Sequence, residues 1–524
     1  MTQNMITSKY CFLSIFCLII SAFSLHAQEA PAEGAILNYR IVGFKGLPAS
    51  SGKNKIEIAE GTCINEDSFK HKILSTTPYS GDKVIIEIPK FGCSYTWRTV
   101  KSSGTKSKFY HFSTGYSKNI DTNTLRLRIT KPAEKFKNAY VFSDHNRALY
   151  DMKGRPVWYL PVVPGLVTET SYVRNLRISS AGTITFLAEN LPCEIDFDGH
   201  LLWSGPRNNS TTNDSLENYH HEFKRLENGN YMAMGTESCW GEWKILPNGD
   251  SAFSLTKKPA DADNTEGKIF PLKLNTILEF NKDKKLIWSW KTSDHFSAID
   301  GPKPTIENGN LDNHENSFYY NEKKGFIYIS CRNLSEIIKI KYPSGEIENV
   351  YSNKSAPDPL LNTQEGNVLF ANQHSCKVSD KGYIYLFSNN LNTPESIPGI
   401  VRLKEPETRD GKLQKIWEYC YPVSLFQSST GMVMPMPNMP NGPRKQPVKT
   451  NGGNVIELPD QSIFVSMCHP FGNVYIVDVN KNIVWDAILE RYMPMERRWM
   501  EIDQYRGSII SNSRHFEQLV LGGK

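Results

Sequence analysis

The sequence predicts an all-β protein in which an N-terminal β-sandwich is followed by a six-bladed β-propeller. Short alternating patterns of apolar and polar residues, separated by Gly, Pro and Ser clusters, run from residue 34 to about residue 130. From residue 139 a hairpin pattern that ends in tryptophan recurs, and long amphipathic helical patterns are rare anywhere. A period of two indicates strands with one buried face, so we interpret the recurring segments as strands.

Residues 1–27 are predicted to be a secretory signal peptide. Lys9 precedes the apolar stretch YCFLSIFCLIISAFSLHA, which ends in small residues, and cleavage is expected after Ala27. The apolar run is short for a membrane anchor, which is the alternative interpretation. The mature protein is therefore expected to be exported, soluble and periplasmic, with no membrane insertion after cleavage.

Residues 34–130 are predicted to form the β-sandwich domain. Six segments alternate like short strands: AILNYRIVGF, NKIEIA, KVIIEIP, YTWRTV, FYHFST and TLRLRIT. Short strands with turn residues between them are typical of two packed antiparallel sheets.

Residues 139–524 are predicted to form the propeller, which would be the catalytic domain. One hairpin pattern occurs six times, and only its fourth copy lacks the tryptophan: ALYDMKGRPVWYL, EIDFDGHLLWSG, ILEFNKDKKLIWSW, IIKIKYPSGEIENVY, IVRLKEPETRDGKLQKIWEY and VYIVDVNKNIVWDA. A second hairpin type lies between the copies: RISSAGTITFLAEN, RLENGNYMAMG, NEKKGFIYISCRN, VSDKGYIYLFSNN and ELPDQSIFVSMC. Two hairpins make a four-stranded unit, and such units bury their faces when they stack radially. A long β-sandwich or a solenoid is the alternative.

The overall charge and the cysteines exclude several classes of site. The net charge of +5 is small for 524 residues, and no Lys/Arg run resembles a nucleic-acid or membrane patch. The eight cysteines beyond the signal peptide show no CxxC spacing, so a zinc site built on cysteine is not expected. Cys63 and Cys93 lie in one block, and an oxidising compartment would allow them to pair.

The glycine turns of the second hairpin type align residues between copies. Arg174, His221 and His374 each lie eight residues before the turn glycine of their own hairpin. Equivalent positions in a propeller point to equivalent places around its axis. We therefore expect these three side chains at one mouth of the central channel.

The fourth unit brings similar residues to the same zone. In DNHENSFYYNEKKGFIYISCRN, His314 and Asn316 precede a longer turn, and Arg332 follows the second strand. Together with His221 and His374 they predict a compact cationic pocket without an obvious carboxylate partner, which favours an anion as ligand. Isolated histidines are more often solvated or packed, and this interpretation is given to four others: His145, His200, His220 and His469.

Four stretches between residues 139 and 506 resemble the bacterial arylsulfotransferases that use an aryl sulfate as donor. YHHEFKRLENGNYMAMG resembles that family's His-Asp/Glu-hydrophobic motif, DNHENSFYYNEKKGFIYISCRN its His-x-Asn-Ser block, ANQHSCKVSDKGYIYLFSNN its Gln-His block, and GGNVIELPDQSIFVS its late Gly-Asn strand. The chain departs from the family pattern at Asn313, where an aromatic residue is frequent, at Ser388, where the family has Asp, and at Cys331 beside the arginine.

The resemblance implies transfer of a sulfo group from an aryl sulfate to a phenolic acceptor, by a ping-pong reaction without a nucleotide donor. His374 matches the histidine that is transiently sulfated. Arg332, His221, His314 and Asn316 match the residues that hold the sulfate. Tyr505, in QYRGS, resembles a late Tyr-Arg element and is expected to line the substrate pocket with Arg174.

Two other classes of function remain open at this stage. His221, His314 and His374 could ligate zinc or copper in a metalloenzyme, although Arg332 is a poor neighbour for a cation. Alternatively, the propeller is a non-catalytic binding module. We expect no cofactor, no metal and no nucleic-acid partner. A homodimer is allowed, although nothing in the sequence selects it.

Overall fold

The computed structural model describes residues 31–207, 210, 216–245, 247, 249, 251–260, 269–295, 305–307, 310–352, 369–391, 397–408, 411–422, 450–468 and 472–522. The predicted signal peptide, residues 1–27, and the background residue His469 lie outside them. Strands dominate the described residues, which confirms the all-β prediction. The α-helices described there are α1 (Glu66–Lys70) and α2 (Ser513–Leu521), with 3₁₀ turns at Lys118–Ile120, Glu134–Phe136 and Thr292–His295. None of these helices is long and apolar enough to span a bilayer.

The N-terminal strands form two sheets that share a core. They are β1 (Ala35–Leu37), β2 (Ile41–Phe44), β3 (Ser50–Glu60), β4 (Ile73–Gly81), β5 (Val84–Glu87), β6 (Ser94–Val100), β7 (Tyr110–Thr114) and β8 (Leu125–Lys131). One sheet has the order β1-β7-β6-β3-β4, and β2 pairs with β5. Phe44 of β2 meets Trp97 of β6 edge to face, with ring centroids 5.0 Å apart, so the sheets face each other.

The remaining strands follow in chain order as successive antiparallel groups. The first two groups are β9 (Tyr140–Ser143), β10 (Ala148–Asp151) and β11 (Pro156–Tyr159), then β12 (Val173–Ile178), β13 (Ile184–Ala188), β14 (Leu191–Ile195) and β15 (Leu201–Ser204). The third is β16 (His220–Arg225), β17 (Tyr231–Ile245), β18 (Ser251–Thr256), β19 (Ile269–Phe280), β20 (Leu286–Lys291), β21 (Thr305–Glu307) and β22 (Asn310–Asp312). The fourth is β23 (Glu315–Asn321), β24 (Phe326–Cys331), β25 (Glu336–Lys341) and β26 (Ile347–Ser352). The last are β27 (His374–Val378), β28 (Ile384–Ser388), β29 (Gly399–Lys404) and β30 (Gln414–Cys420), then β31 (Gly453–Glu457), β32 (Ile463–Met467), β33 (Asn473–Val477), β34 (Ile483–Met493), β35 (Arg498–Glu501) and finally β36 (Gly507–Ile510).

These groups build six sheets, each with a four-stranded antiparallel core. The second, fourth and fifth sheets have the order of the chain, whereas β18, β21 and β22 enlarge the third and β35 enlarges the sixth. The first sheet has the order β11-β10-β9-β36, so its fourth strand comes from the C-terminal end of the chain. All six predicted tryptophan-type hairpins form, as the third and fourth strands of their sheets.

The tryptophans that mark the repeat connect each sheet to the next one. The indole N–H groups donate to backbone carbonyls in the outer turn of the following sheet: Trp158 to Phe197, Trp288 to Pro343, and Trp417 to Val479. Trp203 instead stacks on Tyr231 of the third sheet, with ring centroids 3.8 Å apart. Tyr351 replaces the missing tryptophan and donates to Glu405 at 2.6 Å.

The last junction joins the sixth sheet to the first. Trp485 of β34 donates its indole N–H to the carbonyl of Met152, at a distance of 3.2 Å, in the turn between β10 and β11. The innermost strands also contact one another in sequence: β12 with β16, β16 with β23, β23 with β27, β27 with β31, and both β31 and β12 with β36. The innermost strands of the six sheets therefore contact one another in a continuous series.

Three features differ from the sequence-based expectations. β8, the last strand predicted for the sandwich, pairs with β34 of the sixth sheet instead. Cys63 and Cys93 are both free thiols, so the pairing considered for them is wrong for this structure. The C-terminal residues form helix α2, which packs on β2, β5 and β36. Gly43 of β2 is required there because a Cβ atom would lie 2.9 Å from the carbonyl oxygen of Val520.

Candidate active site

The predicted pocket residues lie where the innermost strands begin. Arg174 is the second residue of β12, His221 the second of β16 and His374 the first of β27, while His314 immediately precedes β23. Because these strands contact one another in turn, the strand ends that carry these residues lie close together. The ring centroids of His221 and His314 are 5.3 Å apart, and those of His314 and His374 are 6.4 Å apart.

Irregular strand pairing gives these side chains their direction. The register shifts at the start of β12, β16, β23 and β27, each time between the first residues of the innermost strand and its neighbour. Four residues there have left-handed backbone conformations: Asn175, His221, His314 and Ser375, with φ of 59°, 53°, 50° and 53°. Such conformations cost about 1–3 kcal/mol each in non-glycine residues, and they cluster at functional sites. Bulges of this kind change the direction of side chains, and here they turn them towards one pocket.

Hydrogen bonds hold His374 in the tautomer whose Nε2 atom keeps a free lone pair. The side chain is 1% exposed, and its Nδ1 lies 2.5 Å from Oδ1 of Asn389. The orientation of the Asn389 amide follows from its Nδ2, which donates to the carbonyl oxygens of Thr450 and Gly452. The amide oxygen must therefore face the imidazole, so Nδ1 carries the proton. Nε2 is left as a nucleophilic nitrogen.

His221 is held in the same tautomer by its neighbour His220. Nε2 of His220 lies 3.0 Å from the carbonyl oxygen of Gly235, so that nitrogen carries the proton. Nδ1 of neutral His220 is then an acceptor, and it lies 2.7 Å from Nδ1 of His221. His221 therefore donates from Nδ1 and keeps a lone pair on Nε2.

His220 was interpreted from the sequence as a background residue, and the structure gives it a positioning contact. The distance in sequence from the glycine turn makes His221 the equivalent of His374. The strand pairing makes His220 the equivalent instead, because His220 pairs with Met234 as His374 pairs with Phe387. The irregularity in β16 thus brings two successive histidines to the pocket, which no spacing rule could reveal.

Arg332 and His314 are joined through the backbone. The Arg332 N–H donates to the His314 carbonyl at 3.0 Å, and the side chain of Asn372 donates to the Arg332 carbonyl at 3.3 Å. The positive charge of Arg332 lies close enough to act on His374, whose pKa falls well below its usual range because of burial, His314 and Arg332. Arg332 is thus a fixed cation close to His374.

Asn316 occupies a position behind the histidines. It is fully buried, and its Nδ2 donates to the carbonyl of Gln373, the residue before His374, at 2.8 Å. Its Oδ1 atom has no hydrogen-bond partner among the described residues. In this structure the side chain fixes the backbone that carries His374.

Tyr505 and Arg174 form one wall of the pocket. The Tyr505 ring lies 5.8 Å from the His221 ring and 5.7 Å from the Arg174 guanidinium carbon. Its hydroxyl is buried without a hydrogen-bond partner among the described residues. Burial raises the pKa of Tyr505 to about 12 against the opposing charges of Arg506 and Arg174. The phenol therefore stays protonated and can donate to an anion.

A buried ion pair lies behind this wall, and sequence analysis did not single it out. Nη1 of Arg506 donates to Oε2 of Glu222 at 2.6 Å, and both side chains are 3% exposed. Arg177 donates to Oε1 of the same carboxylate at 2.8 Å. The available signal was adjacency, since Glu222 follows His221 and Arg506 follows Tyr505. Burial raises the pKa of Glu222, but the two guanidiniums outweigh burial and lower it overall.

His220, His221 and His374 remain neutral in this electropositive setting. Burial and the neighbouring His220, His314 and Arg174 hold the pKa of His221 well below its usual range. Burial lowers the pKa of His220 to about 4, against the opposing bond to Gly235. The pocket thus combines neutral imidazole nitrogens with fixed arginine charges, an arrangement suited to an anion carrying an electrophilic centre.

The three pocket histidines are not spaced as one metal's ligand set. Among the described residues, only Asp196, Asp198 and His200 bring three ligand atoms within 4.8 Å of one another. That cluster lies on the surface, and His200 is bonded to Asp196 there. In this structure the metalloenzyme alternative therefore lacks a compact histidine triad.

Comparison with known proteins identifies the family. A model described as arylsulfotransferase (ASST) matches residues 101–410, which is more than half of the chain. Among curated proteins, no sequence matches.

Several solved structures show a distant similarity to this chain. A protein of unknown function from Bacteroides caccae is 12% identical, covering 71% of this chain and 98% of that chain, with a TM-score of 0.36. Rhamnogalacturonan lyase YesW is 10% identical, covering 90% of this chain and 84% of that chain, with a TM-score of 0.30. The β-propeller domain of Myceliophteria thermophila Cps50 (Swd1) is 8% identical, covering 42% and 58%, with a TM-score of 0.22.

The family match contains every predicted pocket residue except Tyr505. It includes the strands that carry Arg174, His221, His314, Arg332 and His374, whereas Tyr505 lies beyond residue 410. The family's chemistry is sulfo transfer, so the chain is assigned to the sulfotransferases. It belongs to the arylsulfotransferase (ASST) family.

Proposed function

We propose that the chain is an aryl-sulfate sulfotransferase that moves a sulfo group from an aryl sulfate to a phenolic acceptor through a sulfohistidine at His374. The main support is the tautomer of His374. Its Nδ1–H is bound to Asn389, so the buried Nε2 presents a lone pair beside the cation of Arg332. A neutral imidazole of this kind is the nucleophile that covalent sulfo transfer needs. Family membership supplies the reaction class.

The first half-reaction sulfates His374. The Nε2 lone pair attacks sulfur, an N–S bond forms, and the S–O bond to the aryl group breaks with its electron pair leaving on the phenolate oxygen. The imidazole ring becomes cationic, while its Nδ1–H stays on Oδ1 of Asn389 and stabilises that charge. As in phosphoryl transfer, charge spreads over the equatorial oxygens. Arg332 and His314 act on His374 from close by and can stabilise this charge.

The second half-reaction returns the enzyme to its starting state. The acceptor phenol oxygen attacks sulfur, the N–S bond breaks, and the electron pair returns to Nε2 of His374. The phenol proton passes to Nε2 of His221, which is free because Nδ1 is bound to His220. The His221 imidazolium then releases this proton to the solvent, which restores neutral His221. The low pKa of His221 makes that cation a strong proton donor.

The architecture that fits this site is a closed six-bladed propeller with the sheets as blades. Three observations support it: the ring of contacts between innermost strands, the bond from Trp485 to Met152, and the entry of β36 into the first sheet. A ring in which one sheet takes strands from both chain ends leaves only short, protected sheet edges. In this proposal residues 34–130 are the sandwich domain, except that β8 joins the sixth sheet, and residues 139–524 are the catalytic propeller.

Export to the periplasm is part of the same proposal. It rests on the apolar N-terminal stretch of residues 1–27, which the structure does not describe. N-terminal sequencing of the exported protein should begin at Gln28. A chain that retains Met1 in the cytoplasm would argue against it.

A donor pulse tests the nucleophile. The protein is mixed briefly with 4-nitrophenyl sulfate and no acceptor, and intact-protein mass spectrometry follows. We expect one added sulfo group on the wild type, an acid-labile N–S bond at His374, and discharge by phenol. His374→Ala should neither load nor turn over. Arg332→Ala keeps the nucleophile but loses charge stabilisation, with an expected cost of about 2.7–4 kcal/mol by analogy with an oxyanion donor.

The control variant is His200→Ala, which removes an exposed histidine bonded only to Asp196. It should load and turn over like the wild type. Normal turnover by His374→Ala would show that another nucleophile or direct transfer operates. Unchanged mass and absent turnover in the wild type would favour the non-catalytic binding module.

A further inference from the structure

A second cavity lies behind the histidine pocket, along the same axis. Its volume is about 200 Å³, and its walls are the innermost strands β12, β27, β31 and β36. Its polar lining includes Arg177, Lys377, Asn454 and Arg506. Lys377 follows His374 by three residues on β27, so the cavity lies at most about 10 Å further along the strand. The Arg506–Glu222 ion pair lies between the two spaces.

The cavity has more positive than negative charge in its wall. Arg177 and Arg506 share the single carboxylate of Glu222. Lys377 donates only to neutral oxygens, at 2.9 Å to the side chain of Asn454 and at 2.8 Å to the carbonyl of Val455. No carboxylate of the described residues forms a salt bridge with Lys377.

The nearest other carboxyl does not balance this charge. Asp144 is buried and accepts from the backbone N–H groups of Asn175 and Leu176. Burial raises the pKa of Asp144 to about 7, so it carries only a partial charge near neutral pH. Burial lowers the pKa of Lys377 to about 7, so the three basic groups leave one positive charge in excess when Lys377 is protonated and both carboxylates are ionised.

One donor in the wall is left without an acceptor. Nε of Arg506 is buried and has no hydrogen-bond partner among the described residues, although the residue is only 2% exposed. An unpaired N–H on a buried guanidinium is costly, because it has lost its water without replacement. An anion in the adjoining cavity would supply the missing acceptor.

The size of the cavity restricts the ligand. A volume of about 200 Å³ equals that of roughly seven water molecules at about 30 Å³ each. Pockets for organic ligands are generally larger, at about 300–1,000 Å³. A tetrahedral oxyanion with a few waters fits this volume. Arginine and lysine together are the usual donors to such ions.

We propose that this cavity is a second anion site, separate from the catalytic pocket, which binds a small inorganic oxyanion of the sulfate or phosphate type between Lys377, Arg177 and Arg506. This goes beyond the proposed transferase activity, because the ligand here is a free ion held behind the substrate pocket. The site and the transferase proposal can therefore fail independently.

Crystals of the full mature chain soaked in selenate, and separately in arsenate, test the proposal by anomalous scattering. We expect a peak in the cavity about 4 Å from the nearest side-chain nitrogens of Lys377 and Arg506, in at least one soak, because the scattering atom lies one bond beyond the oxygens that accept their hydrogen bonds. Selenate alone would identify a sulfate site, and arsenate alone a phosphate site. A cavity without a peak in both soaks would overturn the proposal.

Two variants show which residues hold the ion. Lys377→Met removes one of three mutually repelling cations, so folding is not expected to suffer, and the cavity peak should disappear. The matched control, Lys381→Met, removes a surface lysine at the turn of the same hairpin that donates to Gln461, and it should keep the peak. Arg332→Met, in the catalytic pocket, should also keep it. A peak that survives in Lys377→Met, or one lost in Arg332→Met, would contradict a separate site.

Discussion

The contact between Asn389 and His374 is the most consequential at the scale of single residues. A free imidazole exchanges between two tautomers, and only one of them presents Nε2 as a nucleophile. The carbonyls of Thr450 and Gly452 orient the amide, and the amide orients the imidazole. In the proposed mechanism, the reactivity of His374 therefore depends on a residue that does not touch the substrate.

Asn389→Ala should lower the rate of His374 sulfation by roughly 10- to 100-fold, the effect commonly found when the partner that orients a histidine is lost. The measurement is the burst of 4-nitrophenolate in stopped flow. Asn482→Ala, in an exposed turn where Asn482 bonds only to Asp478, is the control and should leave the burst unchanged. An undiminished burst in Asn389→Ala would remove the tautomer from the mechanism.

The pH dependence follows from the direction of the pKa shift. A free histidine has a pKa of about 6.5, and burial with His314 and Arg332 places that of His374 well below this value. The neutral form is the nucleophile, so the sulfation rate should stay level from pH 8 down through 6.5 and fall only well below it. Burst rates between pH 5 and 8 provide the check. A midpoint near 6.5 would mean that His374 titrates like an exposed residue.

The same shift affects stability in a defined direction. Below pH 6.5 His374 is protonated in the unfolded chain but stays neutral in the folded chain. The free energy of unfolding therefore decreases as the pH falls. Its contribution reaches about 1.4 kcal/mol for each pH unit between 6.5 and the folded pKa. The effect is absent above pH 6.5, where both states are neutral.

At the scale of the strands and hairpins, the recurring structural feature is the tryptophan that ends most of the repeats. Each repeat ends with an aromatic residue that contacts the next sheet, so one local pattern encodes a non-local contact. Trp485 is fully buried, whereas Trp417 is partly exposed, although both donate to a turn carbonyl. Burial, not the bond itself, should decide what each contributes, because an exposed carbonyl can bond to water instead.

Trp485→Phe should lower the free energy of unfolding by about 2–4 kcal/mol, since it leaves the Met152 carbonyl unpaired and opens a cavity. Trp417→Phe should cost only about 0.5–1.5 kcal/mol, as an exposed hydrogen bond. Urea titrations of both variants at one pH make the comparison. Equal losses would imply that the link between the sixth and first sheets is no stronger than the others.

The two ends of the chain meet at the scale of the whole molecule. β36 completes the first sheet, and α2 then packs on the N-terminal strands β2 and β5. Three buried side chains of α2 anchor it, at Phe516, Leu519 and Val520. The C-terminal residues therefore join the sandwich to the sheets.

Truncation separates these two roles. A chain that ends at Arg506 lacks β36, so the first sheet keeps an open edge, and we expect it not to fold or turn over. A chain that ends at Ser511 keeps β36 and loses α2. It should fold with a free energy of unfolding lower by roughly 3–6 kcal/mol, since each buried apolar side chain contributes about 1.5–3 kcal/mol as an upper bound. Circular dichroism and urea unfolding distinguish the two. A stable, active chain ending at Arg506 would count against closure by β36.

Local patterns in the sequence determined the strands, the six hairpins and the residue types of the pocket. Alternation, glycine turns and a terminal tryptophan each act over about ten residues, so they can be identified without knowing what packs on them. Positions counted back from the turn glycines likewise predicted that Arg174, His221 and His374 lie close together. The structure has them at the starts of β12, β16 and β27. His314 and Arg332 came from the same reasoning, since their hairpin has the same form.

Only the tertiary structure decided the features that depend on residues far apart in the chain. β8 pairs with β34 and β36 with β9 because each completes a sheet edge built elsewhere. The irregularity in β16 brings His220 beside His221, and the Thr450 and Gly452 carbonyls turn Asn389 towards His374. Glu222 and Arg506 meet across 284 positions. Bulges and long-range hydrogen bonds arise from packing between sheets, and a period counted along the chain carries no information about them.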